Sequence, residues 1–511
     1  MNPQEQIIHC GTRQLRGDEL RERAARAATG FANLGLRQGD AVAVMMRNDV
    51  PYLELMLALG RLGVHMVAVN WHFRSEEAAY VLDDCGARVL VIHADLWEGV
   101  RDVVPAGMFV IVVSTPDELR ASYGLSEASL PAGTPEWNAW LAGFEPHEAP
   151  PLPPIGSMLY TSGTTGRPKA VMRLPGTQRQ HEGAMRIRSL SSQAAEGMRT
   201  VIVAPLYHAG PNSGARAALE LASVIVLMPR FEPEQLLQLI ERHRITHLTM
   251  VPIMFVRLLK LPAEVRARYA VGSLQNVTHG ASPCAPEVKR AMLAWWGPII
   301  SETYGSTEAG LVTFATAADW AAKPGTVGRP FPGTRIRVLD EAGRELPPGQ
   351  TGEIVVDPGE NALPFTYRNN PQARAAVDRD GFVTNGDIGY VDADGYLFVT
   401  DRKRDMIISG GVNIYPAEIE HALLGSPEVA DCAVFGVPDP EYGEAVAAAV
   451  VPAPGQRPTE DSIKAWLRER LAGYKLPKVV ELRASLPREG MGKVFKQQLR
   501  APYWERAGRS I

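Results

Sequence analysis

Apolar strand-like runs alternate with helical stretches through the first 310 residues of this chain. The apolar spacing predicts helices at 18–34, 51–62 and 75–84, the last with Ser75 as its N-cap, and strands at 41–45, 64–70 and 88–93. Strands that alternate with helices in this way pair in parallel and need helices on both faces of their sheet. The sequence therefore predicts an α/β fold, with a large N-terminal domain of parallel or mixed sheets covered by helices.

The pattern changes twice toward the C-terminus. From about residue 325, short β-like runs lie between Gly, Pro and Asp turns, which predicts a small β subdomain over about 325–400. A helix at 417–424, strands at 429–437 and 445–451, and an amphipathic helix at 461–471 then predict a compact α+β unit. We place the boundary in the polar stretch 400–405, which gives an N-terminal domain of 1–401 and a small, mobile C-terminal domain of 402–511.

The composition argues against several classes of protein. The formal net charge is −4, so no basic field calls for nucleic acid. The 4 cysteines are far apart, which argues against a zinc site or a disulfide framework and fits a reducing cytoplasm. The first 15 residues lack the pattern of a signal peptide, and the most apolar stretch, 53–69, is interrupted by Glu54, Arg61 and His65. We therefore expect a cytoplasmic protein with no integral membrane segment.

A loop rich in glycine and hydroxyl side chains follows the strand predicted at 156–160. Its candidate phosphate-binding residues are Thr161, Ser162, Gly163, Thr164, Thr165, Gly166 and Lys169. Glycines let backbone amides face an anion, hydroxyl groups add donors, and the lysine adds a positive charge. The spacing is not that of Walker A, in which Gly, Lys and Ser or Thr are consecutive. The loop therefore predicts a polyphosphate site of a different kind from that of P-loop NTPases.

Five further clusters carry candidate functional residues, at 205–208, 280–282, 304–308, 385–387 and 490–493. Taken in order with the loop, they resemble the acyl-adenylate-forming superfamily, which includes acyl-CoA synthetases, adenylation domains of nonribosomal peptide synthetases and firefly luciferase. The resemblance covers nearly the whole chain. The stretch 408–416 is similar to the pattern of medium-chain and aryl CoA ligases, so the leading hypothesis is an acyl-CoA synthetase.

The resemblance implies a site for ATP and Mg²⁺. The phosphate loop would hold the β- and γ-phosphates, Thr307 would donate to the α-phosphate, and Glu308 would hold Mg²⁺. Asp387 would accept from the ribose hydroxyls, helped by Arg402, and Lys493 would bridge the substrate carboxylate and the phosphate. Tyr304 would lie against the adenine, in a pocket formed with Gly280, Ala281, Ser282 and Gly305.

The resemblance also implies an acyl pocket and a path for coenzyme A. His208, Gly210 and Gly305 would line the acyl pocket. The C-terminal domain would swing about Arg404, a position where aspartate or lysine is commoner in the family. After that swing, Ser409, Gly410 and Gly411 would let the pantetheine of coenzyme A pass close to the backbone.

Several alternatives stay open at this point. The acyl group could pass to a carrier-protein thiol instead of CoA, and a non-enzymatic nucleotide-binding protein would not need Lys493. An amino-acid substrate is disfavoured because residues 204–210 contain no acid to grip an α-amino group. The carboxylic acid itself is fatty, aryl or polycyclic; Ala209, Gly210, Ser213 and Gly214 are small enough for a wide pocket. The oligomeric state is open, with a homodimer the commonest closed assembly.

A basic stretch begins at the end of the phosphate-loop region. It contains Arg173, Arg179, His181, Arg186 and Arg188. We predict a solvated helix face for this stretch. The alternative is contact with a substrate that carries polar groups, or with an acidic partner such as a carrier protein.

Overall fold

Strands and helices alternate over most of the chain, and the computed structural model describes residues 1–128, 130–153, 155–161, 168–410, 412–488 and 493–507. The strands there are β1 (Ile7–Cys10), β2 (Arg13–Arg16), β3 (Ala41–Met45), β4 (His65–Ala68), β5 (Val89–His93), β6 (Phe109–Val113), β7 (Met158–Thr161), β8 (Lys169–Arg173), β9 (Arg199–Ile202), β10 (Val224–Leu227), β11 (His247–Met250), β12 (Asn276–His279), β13 (Ile300–Ser306), β14 (Gly310–Ala315), β15 (Arg329–Pro330), β16 (Arg335–Leu339), β17 (Gly352–Asp357), β18 (Phe365–Tyr367), β19 (Asp378–Arg379), β20 (Phe382–Val391), β21 (Leu397–Arg402), β22 (Ile407–Ser409), β23 (Val412–Ile414), β24 (Val429–Asp439), β25 (Gly443–Pro452) and β26 (Val479–Leu482).

The helices connect these strands and cover their sheets. They are α1 (Gly17–Asn33), α2 (Val50–Arg61), α3 (Ser75–Asp84), α4 (Ala94–Trp97), α5 (Asp117–Tyr123), α6 (Trp137–Ala142), α7 (Gln178–Ser192), α8 (Ala209–Leu221), α9 (Pro233–His243), α10 (Pro252–Leu259), α11 (Ala263–Arg268), α12 (Pro286–Trp296), α13 (Ala317–Ala322), α14 (Pro371–Ala376), α15 (Pro416–Leu424), α16 (Glu460–Arg468) and α17 (Lys496–Arg506). None of the helices in the described part of the chain has the length and apolar character that a membrane span needs.

Two large mixed sheets form the body of the protein. The first has the strand order β18-β8-β7-β4-β3-β5-β6, and the second has the order β15-β14-β13-β12-β11-β9-β10-β1-β2. The centre of each sheet is parallel: β3 pairs in parallel with β4 and β5, and β9 pairs in parallel with β10 and β11. The predicted α/β fold is therefore confirmed.

Helices α1 and α2 are sandwiched between the two large sheets. On β3, Val42 and Val44 join the core that contains both helices, whereas Ala43 and Met45 face the opposite core under α3. This alternation is the two-residue period of a strand buried on both faces. A third core packs α9, α10 and α12 against the far face of the second sheet. The last residues of β7, β12 and β13, which are Thr161, His279 and Ser306, line the cleft described below.

Two smaller sheets lie toward the C-terminus. One has the order β16-β17-β20-β19, with β21 paired to β20, and the other has the order β23-β22-β25-β24, with β26 paired to β25. Helices α15 and α16 pack on the second of these, which forms the lid of the cleft described below. The domain boundary that we predicted after Asp401 falls inside β21, which ends at Arg402, and it stays a prediction.

One helix start differs from our prediction. Ser75 is the first residue of α3, and Arg74 is its N-cap. The carboxylate of Glu77 accepts a hydrogen bond from the Arg74 backbone N–H at 3.1 Å, while the Ser75 hydroxyl donates to Gly99 O at 3.2 Å. The prediction was wrong because a tertiary partner, outside any local pattern, engages the serine hydroxyl.

Candidate active site

A large cleft, ≈ 3000 Å³ in volume, lies between the body and the lid. Its wall contains most of the residues that the sequence singled out: Thr161, Lys169, His208, Gly210, Gly280, Ala281, Ser282, Tyr304, Gly305, Thr307, Glu308, Asp387, Arg402, Arg404 and Lys493. The predicted loop residues Ser162, Gly163, Thr164, Thr165 and Gly166, and the predicted Gly411, lie outside the described residues. Ser409 and Gly410 are described and do not line the cleft.

Glu308 lies in the tight turn between β13 and β14, so it is not the helix-capping acid that an isolated glutamate often is. Its Oε1 accepts a hydrogen bond from Tyr367 OH at 2.9 Å and a longer one from Thr161 Oγ1 at 3.4 Å. Burial and the nearby carboxylate raise the pKa of Tyr367, so the phenol stays a donor. The carboxylate is thus fixed beside the end of β7, where the phosphate loop begins.

Arg173 anchors the turn that carries Glu308. Its Nη1 donates to Glu308 O at 2.9 Å and to Leu363 O at 2.8 Å, and its Nη2 donates to Thr307 O at 2.6 Å. Burial lowers the pKa of Arg173, and the Glu308 charge opposes that shift. Arg173 shares a face of β8 with Lys169, because side chains two and four residues apart on a strand point the same way. That spacing is the signal by which the sequence could have identified Arg173 as a positioning residue.

Asp387 is held at the junction of three segments. Strand register places it opposite Arg402, whose Nε lies 3.4 Å from Asp387 Oδ1. Tyr304 OH donates to Asp387 Oδ2 at 2.6 Å, and burial together with this carboxylate raises the pKa of Tyr304. The aspartate is only 5% exposed, yet it lines the cleft. Both of its oxygens therefore have fixed positions at the cleft wall.

The segment after β12 brings backbone close to the cleft. A Cβ on Gly280 would lie 2.6 Å from Thr303 O, so only glycine fits there. Ala281 adopts a φ of 68°, in the left-handed region that non-glycine residues rarely occupy. Such strain is often found at binding sites, where the surroundings fix the backbone. These features suit a flat group packed against main chain at 280–282.

His208 is the N-cap of α8 and lies at the other end of the cleft. Burial, together with the positive charges of His72 and Lys493, lowers the pKa of His208 to about 3, so the ring is neutral at pH 7. Lys493 lines the same cleft, and its charge acts on His208. The lid therefore presents Lys493 to the body in this pose.

The segment of the lid that carries Ser409 and Gly410, at the end of β22, does not face the cleft in this structure. Ser409 ends β22 and pairs with Gly443, and Gly410 N donates to Tyr442 O at 2.8 Å. Gly410 has a φ of 57°, and a Cβ there would lie 3.0 Å from Tyr442 Cδ1. Arg404, the predicted hinge, lines the cleft, and its carbonyl accepts from Arg500 Nη1 at 3.2 Å.

The basic stretch is divided between the surface and the cleft. Arg179 and Arg186 lie on exposed positions of α7, as we predicted for a solvated face. Arg173, His181 and Arg188 line the cleft instead, so the prediction is wrong for these three. Arg173 belongs to β8 rather than to a helix, and α7 packs against α8, which turns Arg188 inward.

The chain matches two family descriptions and many known proteins. Residues 1–362 match the family described as AMP-binding enzyme, and residues 418–493 match the AMP-binding enzyme C-terminal domain. A feruloyl-CoA synthase from Amycolatopsis sp is 37% identical over 507 residues, covering 98% of this chain and 96% of that protein. The fatty acid–[acyl-carrier-protein] ligase ScoC from Streptomyces coeruleorubidus is 33% identical over 526 residues, with 100% and 95% covered.

A solved structure gives the same result for the fold. ATP-bound MatB from Rhodopseudomonas palustris superposes with a TM-score of 0.82 at 29% identity, covering 98% of this chain and 97% of that chain. The resemblance that the motifs suggested is thus confirmed. Because both family descriptions match and relatives above 30% identity extend along nearly the full chain, this protein belongs to the AMP-binding enzyme family, in its acyl- and aryl-CoA ligase branch, as an AMP-forming acid–thiol ligase.

Proposed function

We propose that this cleft carries out both half-reactions of an ATP-dependent CoA ligase, with Glu308, Asp387 and Lys493 as its principal polar groups. The observation that best supports the proposal is that these side chains, from three separate segments, line one cleft. A carboxylate is a poor electrophile. Its attack on the α-phosphate of ATP breaks the bond to the β-phosphate, releases pyrophosphate and gives an acyl-AMP anhydride, from which AMP leaves when the thiol attacks the acyl carbon. Two anions must meet in that step, so the site must supply positive charge and hydrogen-bond donors.

The nucleotide would lie along the β12–β13 edge. Each carboxylate oxygen of Asp387 can accept a further hydrogen bond, because one lone pair per oxygen remains after Tyr304 and Arg402 are counted. Two oxygens in fixed positions suit the two adjacent hydroxyls of a ribose. The adenine would pack against the strained backbone at 280–282, and Lys169 and Thr307 would meet the phosphates.

Glu308 fits a magnesium ion that is shared with the phosphates. Both donors reach Oε1, and within the described residues no hydrogen bond reaches Oε2. The described residues contain no group of three or more His, Cys, Asp or Glu side chains that could hold a metal by itself. Mg²⁺ is usually bound through one or two carboxylates plus substrate phosphates, which matches this donor set. When bound, the ion would neutralise phosphate charge, and Glu308 would orient it.

Lys493 would act in the first half-reaction. Its charge reaches His208, so the ammonium group is near the place where the acyl carboxylate must approach the α-phosphate. A cation there stabilises the negative charge that grows on the phosphate oxygens. The neutral His208 ring adds no charge and shapes the pocket beside it.

The acyl pocket suits a bulky acid. A Cβ on Gly210 would meet nothing within 4 Å, and one on Gly214 would meet only Thr249 Oγ1 at 4.0 Å. The space beside α8 is therefore open rather than filled by backbone. Since the related Amycolatopsis protein is described as a feruloyl-CoA synthase, we favour an aryl or polycyclic acid over a plain alkyl chain.

The second half-reaction would need a different pose of the lid. We propose that the lid turns about Arg404 and brings Ser409 and Gly410 to the cleft, with CoA as the acceptor. A carrier-protein acceptor and a homodimer stay predictions. The cysteines of the described residues are all free, which supports our proposal of a reducing cytoplasm.

Acid-dependent pyrophosphate release over fatty, aryl and polycyclic acids, with and without CoA, tests the proposal. We expect multiple turnovers that need both an acid and CoA, with aryl acids preferred. Multiple turnovers without CoA would show another acceptor. Binding of ATP without turnover of any acid would contradict the proposed function.

A further inference from the structure

Two arginines line the acyl end of the cleft on adjacent helices. Arg188 belongs to α7 and Arg216 to α8, and both side chains contribute to the cleft wall. Arg216 is eight residues past His208, which corresponds to about 12 Å along the axis of α8. The arginines therefore lie at the far end of the acyl pocket, away from Lys493.

Their hydrogen-bond partners are neutral. Arg216 Nη2 donates to Ser157 Oγ at 3.0 Å, and that hydroxyl donates to Asn212 Oδ1 at 3.0 Å. Among the described residues, no carboxylate lies within ion-pair distance of either guanidinium, and no hydrogen bond reaches that of Arg188. Glu220, which is exposed to solvent, is a carboxylate whose charge acts on both guanidinium groups.

The positive charges of Arg188 and Arg216 are not balanced by neighbouring carboxylates among the described residues. Burial, together with the positive charge of Arg188, lowers the pKa of Arg216 to about 10. Burial also lowers the pKa of Arg188, and Glu220 only partly opposes that shift. Both groups remain cationic at pH 7. Two partly buried cations that repel each other, with no direct counter-ion among the described residues, are stabilised when an anion joins them.

We propose that Arg188 and Arg216 bind a second carboxylate of the substrate, so that the acid ligated here is an elongated dicarboxylic acid. This inference rests on the proposed function. Arginine forks match the planar, two-oxygen shape of a carboxylate, and two forks can hold it from two sides. The length of α8 between His208 and Arg216 sets the separation of the two carboxyl groups at about 10 Å. Short diacids cannot span that length.

Three cinnamic acids of similar shape test the inference. The probes are para-carboxycinnamic acid, its para methyl ester and unsubstituted cinnamic acid, with para-hydroxycinnamic acid as a neutral polar control. In wild-type enzyme we expect kcat/KM to favour the diacid over its ester by about ten-fold or more, because the ester loses the charge and keeps the shape. An ester or a para-hydroxy acid turned over as well as the diacid would overturn the inference.

Variants of Arg188 and Arg216 test whether these side chains cause the preference for the diacid. Arg216→Gln and Arg188→Gln should each lower the diacid-to-cinnamate ratio of kcat/KM by about ten-fold, chiefly through KM of the diacid, and Arg216→Lys should restore part of it. Arg179→Gln, on the outer face of α7 beside Glu360, should leave the ratio in place. A ratio that is equal in all variants would overturn the inference.

The assays distinguish failure of the second carboxylate site from failure of the proposed function. Turnover of cinnamic acid without preference for the diacid removes only the second carboxylate site. Absence of turnover with every acid, while ATP still binds, removes the proposed function and this inference together. If Arg216→Gln does not fold, the diacid-to-ester ratio of the wild-type enzyme still decides.

Discussion

The two ends of the cleft are built in opposite ways. At the end where we propose that the nucleotide binds, hydrogen bonds from Tyr304 and Tyr367 hold Asp387 and Glu308, and Arg173 binds the backbone of the turn between β13 and β14. At the end where we propose that the acyl group binds, Gly210 and Gly214 leave open space. No ion pair or hydrogen bond within the described residues reaches the Arg188 guanidinium there. The chemistry of ATP is the same for every acid, so its groups can be locked in place. The acid differs between relatives, and that end holds space and uncompensated charge.

Loss of Lys493 should have the largest effect. Lys493→Ala should lower acid-dependent pyrophosphate exchange by about 1000-fold, because the donor to the growing phosphate charge is removed. Thioester formation from supplied acyl-adenylate and CoA should persist, since Lys493 has no part in that step. Lys478→Ala, which removes a lid lysine paired with Asp439 on the surface, is the matched control. Equal loss of both half-reactions would contradict the assignment.

The substitution Asp387→Asn should have the second-largest effect. The amide keeps the shape but loses the charge that accepts from ribose hydroxyls, so KM for ATP should rise by about 30-fold. The KM for the acid should change far less, because Asp387 lies at the nucleotide end. Asp394→Asn, in the turn between β20 and β21, controls for loss of an aspartate from the same hairpin. An unchanged KM for ATP would refute the ribose contact.

Filling the acyl pocket should separate substrates rather than reduce all activity. Gly214→Val places two methyl groups in open space, so kcat/KM for an aryl acid should fall by about ten-fold while that for a short alkyl acid holds. Valine is a better helix former than glycine, so α8 should remain stable. Gly214→Ala should give an intermediate result. A uniform fall across all acids would indicate that Gly214 does not border the acyl group.

Arg173→Lys should lower kcat by about ten-fold, because lysine cannot reach three carbonyl oxygens with a planar fork. The Mg²⁺ concentration for half-maximal activity should rise, since Glu308 would lose its fixed position. Arg179→Lys, on the exposed face of α7, is the control. A fall in activity with no change in Mg²⁺ requirement would show that Arg173 has only a structural role.

The smallest effect concerns pH. The folded pKa of His208 is about 3, below its ordinary value of 6.5, so the folded state must keep this ring neutral. The neutral His208 ring therefore contributes fully to the free energy of unfolding above pH 6.5. This contribution is lost as the pH falls toward the folded pKa, because the unfolded state takes up a proton that the folded state does not. Urea denaturation should show wild-type enzyme losing more stability than His208→Gln between pH 7 and pH 5. A parallel loss in both proteins would mean that the ring is charged when folded.

Sequence patterns predicted the nucleotide end far better than the acyl end. Glu308 and Asp387 stood in motifs whose order along the chain carried the information, and both line the cleft. Arg216 stood between alanines in an ordinary helical pattern and gave no signal. Arg188 was grouped with exposed arginines of α7, because the side chains that face a neighbouring helix depend on how α7 packs against α8. That packing is set by contacts remote in sequence, which no local period reports.

The lid carries both Lys493 and the hairpin with Ser409, and we propose a different half-reaction for each. The hairpin with Ser409 is tied to β25, and Val494, next to Lys493, packs against the core formed by β24 and β25. As long as the lid turns as one piece, presenting the lysine withdraws the hairpin, and presenting the hairpin withdraws the lysine. If the lid turns as we propose, the acyl-AMP forms while the Ser409 hairpin is away from the cleft, and the hairpin reaches the cleft only after pyrophosphate has left, with AMP still attached to the acid. The order of the two half-reactions would then follow from the rigid connection between Lys493 and the Ser409 hairpin within the lid.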